Sequence, residues 1–136
     1  MSDRVDNAGI KVILDLRSDE LLIATISGDL GIHGSEKFER LTTGVAPRRG
    51  LVVLNLAGVD TVSSLGLGVL VALQRGIRLH GGRVRLARVQ PRVMESFQRA
   101  RLDSVFENCA TMEEAVGLPS FWFQKAWSNF DRLLTR

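Results

Sequence analysis

Few residues in this chain of 136 have the types and spacing that chemistry needs. Cys109 is the single cysteine, so neither an internal disulfide nor a cysteine-based zinc site can form. His33 and His80 come with no HExxH motif and no clustered carboxylates, which argues against a metal hydrolase. There is no paired nucleophile and base, and no glycine-rich loop of the P-loop type. Enzymatic activity, a metal and a bound cofactor are therefore not expected. His33 in a loop and His80 near a helix end read as solvated groups, and Cys109 as a quiet small residue.

What remains is a hydroxyl-rich turn, Thr61-Val62-Ser63-Ser64, followed by Leu65-Gly66-Leu67-Gly68. A helix opening here leaves its first N–H groups without partners and places the positive dipole end at the turn. A hydroxyl can cap such an end, and a phosphate would be favourably held there. Ser63 and Ser64 each read first as a cap. For modification Ser64 is the better candidate and Thr61 a weaker one. Gly66 and Gly68 each cost about 1 kcal/mol relative to Ala within a helix. Either they pack the helix closely on a sheet or they leave a flat surface for a partner. Leu65 either projects outward as an apolar contact or tucks into the core.

The elements around this turn follow from periodicity. Residues 10–17 and 20–27 read as two strands joined by Ser18-Asp19, an antiparallel hairpin that ends at Gly28. Residues 34–44 read as a short helix with Ser35 as N-cap and Phe38, Leu41 and Val45 on one face. The apolar run 51–56, LVVLNL, suits a strand buried on both sides in a parallel sheet. A helix over 64–80 follows, with Leu65, Val69, Leu70, Leu73, Ile77 and Leu79 at helical spacing, stopped by Gly81-Gly82. The strand 83–89 completes a right-handed crossover. Pro91 opens a helix over 91–101 whose inner face is Val93, Met94, Phe97 and Ala100. Val105-Phe106 suits a last strand, and Thr111 caps a brief helix carrying Glu113 and Glu114.

Composition bounds the rest. With 45% hydrophobic and 24% charged residues, the chain has the profile of a single globular domain. The net charge is +3, from fifteen arginines and three lysines against fifteen acids. Eight arginines (75, 78, 83, 85, 88, 92, 99, 101) lie between 75 and 101, where Glu95 is the only acid. Without interleaved aromatics they read as a solvated face, and no nucleic-acid partner is expected. No apolar run reaches the ~18–20 residues of a membrane span. MSDRVDNAG lacks the apolar core of a signal peptide, so the cytoplasm is the expected location.

The segment 51–80 and the following GGRVRLARVQPRV resemble the STAS family, the fold of bacterial anti-sigma factor antagonists. Ser63-Ser64-Leu65-Gly66-Leu67-Gly68 stands where that family has Asp-Ser-Ser-Gly-Leu-Gly. Gly28-Asp29-Leu30 matches its Gly-Glu-Leu, Leu102-Asp103-Ser104-Val105-Phe106 its Gly-Leu-Asp-x-x-Phe, and Thr111-Met112-Glu113-Glu114-Ala115 its Ser-x-Glu-Glu-Ala. The resemblance implies an α/β fold: a mixed four- to five-stranded sheet with an antiparallel N-terminal hairpin and helices packed against it. A flexible N-terminus over 1–9, a STAS domain over 10–118 and an amphipathic tail over 119–136 are the expected divisions.

The resemblance also implies a site and a partner. In the family the second serine of Asp-Ser-Ser accepts phosphate from a kinase that is also the anti-sigma factor. Here the Asp is replaced by Ser63, the first serine is Ser64, and the phosphoacceptor is replaced by Leu65. Two further acids are lost, at Gly31 and Asn55. Asp29, Gly31, Asp60 and Thr61 would line the partner-binding loop beside 63–68. The expected function is a regulatory protein-binding module, a transcription regulator that binds an anti-sigma factor without the usual serine phosphorylation. The alternatives are an accessory subunit docking on the permease or ATPase of a lipid or anion transport complex, and a scaffold subunit of a stress-signalling assembly.

The tail, PSFWFQKAWSNFDRLLTR, holds both tryptophans and three of the six phenylalanines. Phe123, Trp127, Phe130 and Leu134 share one helical face, with Trp122 beside them. It either folds back on the domain, meets a partner or a second copy in a homodimer, or lies on a membrane surface with Lys125, Arg132 and Arg136 beside the stripe.

Overall fold

The computed structural model of the chain describes residues 9–42 and 50–117. Val45, the N-terminal segment 1–8 and the aromatic tail fall outside the described residues, and so does the side chain of Leu41. Five strands form one sheet in the order β1-β2-β3-β4-β5: Lys11–Ser18, Leu21–Leu30, Gly50–Val62, Gly82–Ala87 and Glu107–Cys109. Among the described residues three helices join them, α1 (Ile32–Leu41), α2 (Ser64–Leu79) and α3 (Pro91–Arg99), and α4 (Met112–Val116) follows β5. The β1–β2 hairpin is antiparallel, and β2–β3, β3–β4 and β4–β5 are parallel. This is the mixed α/β sheet that the sequence implies.

Strand alternation divides the apolar residues between two faces. Leu22, Ala24, Ile26, Val52, Leu54, Val84 and Leu86 form the larger core with Phe38 of α1, Leu67, Leu70, Leu73 and Ile77 of α2, and Val93 and Phe97 of α3. Phe106 closes it, edge-on to Phe97 with ring centroids 5.6 Å apart. On the opposite face Ile23, Val53 and Ala87 meet Ala115 of α4.

Several boundaries differ from expectation, each for a local reason. β2 runs through Gly28 to Leu30, because Gly28 adopts φ +114, a backbone closed to most side chains, where the register shifts against β3. α1 starts at Ile32 with Gly31 as its N-cap. Ser35 is therefore not a cap but a buried helical residue whose hydroxyl donates to the Leu30 carbonyl oxygen at 3.2 Å. β3 continues past Leu56 to Val62, so Asp60 and Thr61 are strand residues, not loop residues. The last strand is Glu107–Cys109 rather than Val105-Phe106, whose Phe106 belongs to the core. Ala100 is the exposed C-cap of α3 rather than part of its inner face.

Candidate functional site

β2 and β3 end side by side, Leu30 opposite Val62, and each feeds a helix at the same end of the sheet. The Leu30 carbonyl oxygen joins them. It accepts the Ser63 N–H at 2.9 Å, the Ser63 hydroxyl at 3.0 Å and the Ser35 hydroxyl at 3.2 Å. Ser63 is also the N-cap of α2: its hydroxyl oxygen accepts the Gly66 N–H at 3.1 Å. Of the two serines, Ser63 is thus structural. Ser64 is the first helical residue, exposed, and takes part in none of these bonds.

The glycines separate in the same way. A Cβ on Gly66 would sit 2.6 Å from the Leu30 oxygen, so Gly66 lets α2 press onto the end of β2. A Cβ on Gly68 would meet nothing within 4 Å, and Gly68 is exposed. Gly66 therefore serves packing, and Gly68 lies on an open helix surface. Leu67 is buried in the main core and offers nothing to a partner. Leu65 resolves outward, 45% exposed, and Leu79 is exposed too, so neither belongs to the inner stripe that periodicity gave them. That stripe is Leu67, Leu70, Leu73, Gln74 and Ile77.

Asp29 and Thr61 stand opposite one another at the ends of β2 and β3, and the Thr61 hydroxyl donates to the Asp29 carboxylate at 2.6 Å. Gly31 leaves room for this carboxylate; a Cβ there would lie 3.3 Å from it. Asp60 is exposed on β3 and makes none of the turn's hydrogen bonds. Asn55 is half-buried and accepts the Ala57 N–H at 3.2 Å. Neither α1 nor α2 has an acid in its first turn. Ile32, in the first turn of α1, is 64% exposed at the same end as Leu65, a position that neither periodicity nor the family resemblance singles out. The signal was there in principle: an isoleucine directly after Gly31, out of step with Phe38.

Away from the turn, Arg85 departs from the solvated face assigned to its neighbours. It is buried, donates to the Ala115 carbonyl at 3.2 Å and also to that of Gly117, and pairs with Glu107 at 2.8 Å. Arg83 pairs with the other Glu107 oxygen. Burial pushes the Glu107 carboxyl up, but the hydrogen bonds and charges of Arg85 and Arg83 outweigh it and hold it below 4.5. At Cys109 burial is the largest influence and pushes the thiol up, with Glu114 and Glu107 adding to it against Arg85. A thiol so placed is a weak nucleophile. His33 is exposed, and the ring Nδ1 of exposed His80 lies 2.9 Å from the Gly76 oxygen. Among the described residues no three His, Cys, Asp or Glu side chains gather where a metal could bind, and no helix is long and apolar enough to cross a membrane.

The chain whose two helix starts meet at the end of this mixed sheet matches the family model of the STAS domain over residues 13–115. The chain belongs to the STAS domain family. BtrV of Bordetella bronchiseptica, whose name assigns it to the anti-sigma factor antagonists, is 30% identical over 108 residues, covering 79% of this chain and 92% of its own. An anti-sigma factor antagonist from Mycobacterium paratuberculosis superposes with a TM-score of 0.69 at 19% identity, covering 81% of this chain and 93% of that one. The antagonist SpoIIAA in its unphosphorylated form gives 0.65 at 23% identity, covering 78% and 93%. These STAS neighbours share the fold, and their names are those of regulatory proteins.

Proposed function

We propose that this STAS domain is a regulatory protein-binding module that acts as an anti-sigma factor antagonist. It binds the anti-sigma factor with the surface at the start of α2: Ser64, Leu65 and Gly68, flanked by Ile32 and the Asp29–Thr61 pair. Control by phosphate at position 65 is absent, because leucine has no hydroxyl to accept it.

One observation carries this reading. Leu65 is 45% exposed at the position where the family resemblance places the phosphoacceptor. A leucine at a helix start, turned to solvent beside an open glycine, contributes more as a contact than as core. The BtrV relationship supports the choice of partner.

Affinity capture tests it, with an anti-sigma factor from the same organism as prey. The wild type retains it. Leu65→Asp, which places a fixed negative charge where a phosphate would sit, weakens capture by about tenfold or more, in line with loss of a central apolar contact. Equal capture by both proteins removes the 63–68 surface from the interface. Treatment with a cognate serine kinase leaves position 65 unmodified; stoichiometric phosphate on Ser64 would overturn the non-switching reading.

A further inference from the structure

β1 is an edge strand that pairs with β2 alone among the described residues. Edge strands usually blunt their free backbone groups with charge, proline or a covering element. β1 carries the exposed charges Lys11, Asp15 and Arg17, but between them it leaves apolar residues exposed on both faces: Ile13 at 57% on the α4 side, Leu14 at 47% and Leu16 at 51% on the other. Its sequence, KVILDLRS, contains no proline. The pattern suits a strand that continues into another sheet.

We propose that the free edge of β1 pairs antiparallel with β1 of a second copy of this chain, Ile13 facing Ile13. The register follows from charge. Side chains alternate between faces, so a two-fold pairing must set one residue opposite itself. Centred on Ile13, it places Lys11 opposite Asp15 of the second copy twice over, and Val12 opposite Leu14 twice over. From Lys11 to Asp15 every cross-strand pair is then apolar with apolar or opposite in charge, the arrangements that stabilise a sheet. Centred on Leu14, Lys11 meets Arg17 and Ile13 meets Asp15. Centred on Asp15, two carboxylates meet. Centred on Leu16, Ile13 meets Asp19 and Leu14 meets Ser18. Only the first register leaves no residue from Lys11 to Asp15 mismatched. Asp15 is already within 2.7 Å of Arg17 Nε in the single chain and remains exposed enough to face Lys11 of the copy. The two five-stranded sheets become one. β2 lies between this edge and the strand that feeds the 63–68 turn, so the pairing goes beyond the proposed antagonist role and does not depend on it.

Sedimentation velocity on the full chain over a range of concentrations tests the pairing, with circular dichroism to show that each variant keeps its fold. The wild type dimerises. Ile13→Lys is monomeric. Lys11→Asp and Asp15→Lys each raise the dimer dissociation constant by about tenfold, since each replaces two attractions with two repulsions. Mixed in equal amounts, these two variants form a heterodimer, because each now carries the charge the other lacks. A wild type that stays monomeric up to its solubility limit overturns the proposal. So does a dimer insensitive to Ile13→Lys and to both charge changes, or one lost only when residues 118–136 are removed.

Discussion

The Thr61 hydroxyl donates to the Asp29 carboxylate across 2.6 Å and ties the end of β3 to the end of β2. Asp29, near the end of β2, is an acid engaged within the chain rather than held out alone. Thr61, the weaker candidate for modification, has its hydroxyl committed. Removing the donor with Thr61→Val should cost about 0.5–1.5 kcal/mol, toward the low end because the pair is exposed. Asp29→Asn keeps an acceptor oxygen and should cost less than Asp29→Ala. Urea unfolding midpoints of the three variants give the order.

The two adjacent serines should separate in the same measurement. Ser63 caps α2 and donates to Leu30, so Ser63→Ala should destabilise by about 1–2 kcal/mol. Ser64 is exposed within the first turn, so Ser64→Ala should stay within about 0.5 kcal/mol of wild type. Equal losses at both positions would mean that the cap is shared or shifted.

These contrasts mark what a sequence can carry. The stop at Gly81 and part of each inward face, Leu70, Leu73 and Ile77 of α2 with Val93 and Phe97 of α3, are local patterns that the structure keeps, and of the two serines read as caps it uses Ser63. β3 was harder. Asp60 and Thr61 read as loop residues, yet both lie in β3, and Gly58 before them lets β3 pair closely with Ser27, where a Cβ would lie 2.7 Å from the serine side chain. Pairing with β2 overrides the local preference. Arg85 was not legible at all among eight arginines. Its burial depends on Glu107, 22 positions on, and on α4 carbonyls further still. Leu65 sat between two registers, outward as a contact and inward as core. Only the cap at Ser63 fixes the helix phase that turns it to solvent.

The Arg83–Glu107–Arg85 cluster should give the fold an acid-sensitive component. The Glu107 carboxyl titrates lower in the folded chain than in the unfolded one, despite the opposing effect of burial. The unfolded state therefore binds the proton more readily. The cluster's stabilisation is fully present above the unfolded value of about 4.5 and is lost as pH falls through the lower folded value. Unfolding midpoints followed from pH 7 to pH 3 should decline, and Glu107→Gln should decline less over the same window. Arg85→Met should cost more at neutral pH than Arg83→Met, because it alone leaves the Ala115 and Gly117 carbonyls without their donor.

Gly66 and Gly68 offer the sharpest separation of packing from partner binding. Both are glycines in one helix, two residues apart, and helix propensity alone predicts that alanine at either stabilises the chain by up to about 1 kcal/mol. At Gly68 nothing opposes that gain, since the added methyl meets open space. At Gly66 the methyl would meet the Leu30 oxygen at 2.6 Å and Val62 at 2.9 Å, and that oxygen already accepts three hydrogen bonds. Moving α2 away would break the Ser63 bonds to Leu30 together. Gly66→Ala should therefore destabilise by about 1–3 kcal/mol, as overpacking does. Gly68→Ala should leave unfolding unchanged or improved, and Gly68→Phe should leave the fold intact while weakening capture of the anti-sigma factor. A Gly68→Phe protein that folds and captures its partner at full strength would place the contact elsewhere, on Leu65 and Ile32 without the helix face beyond them.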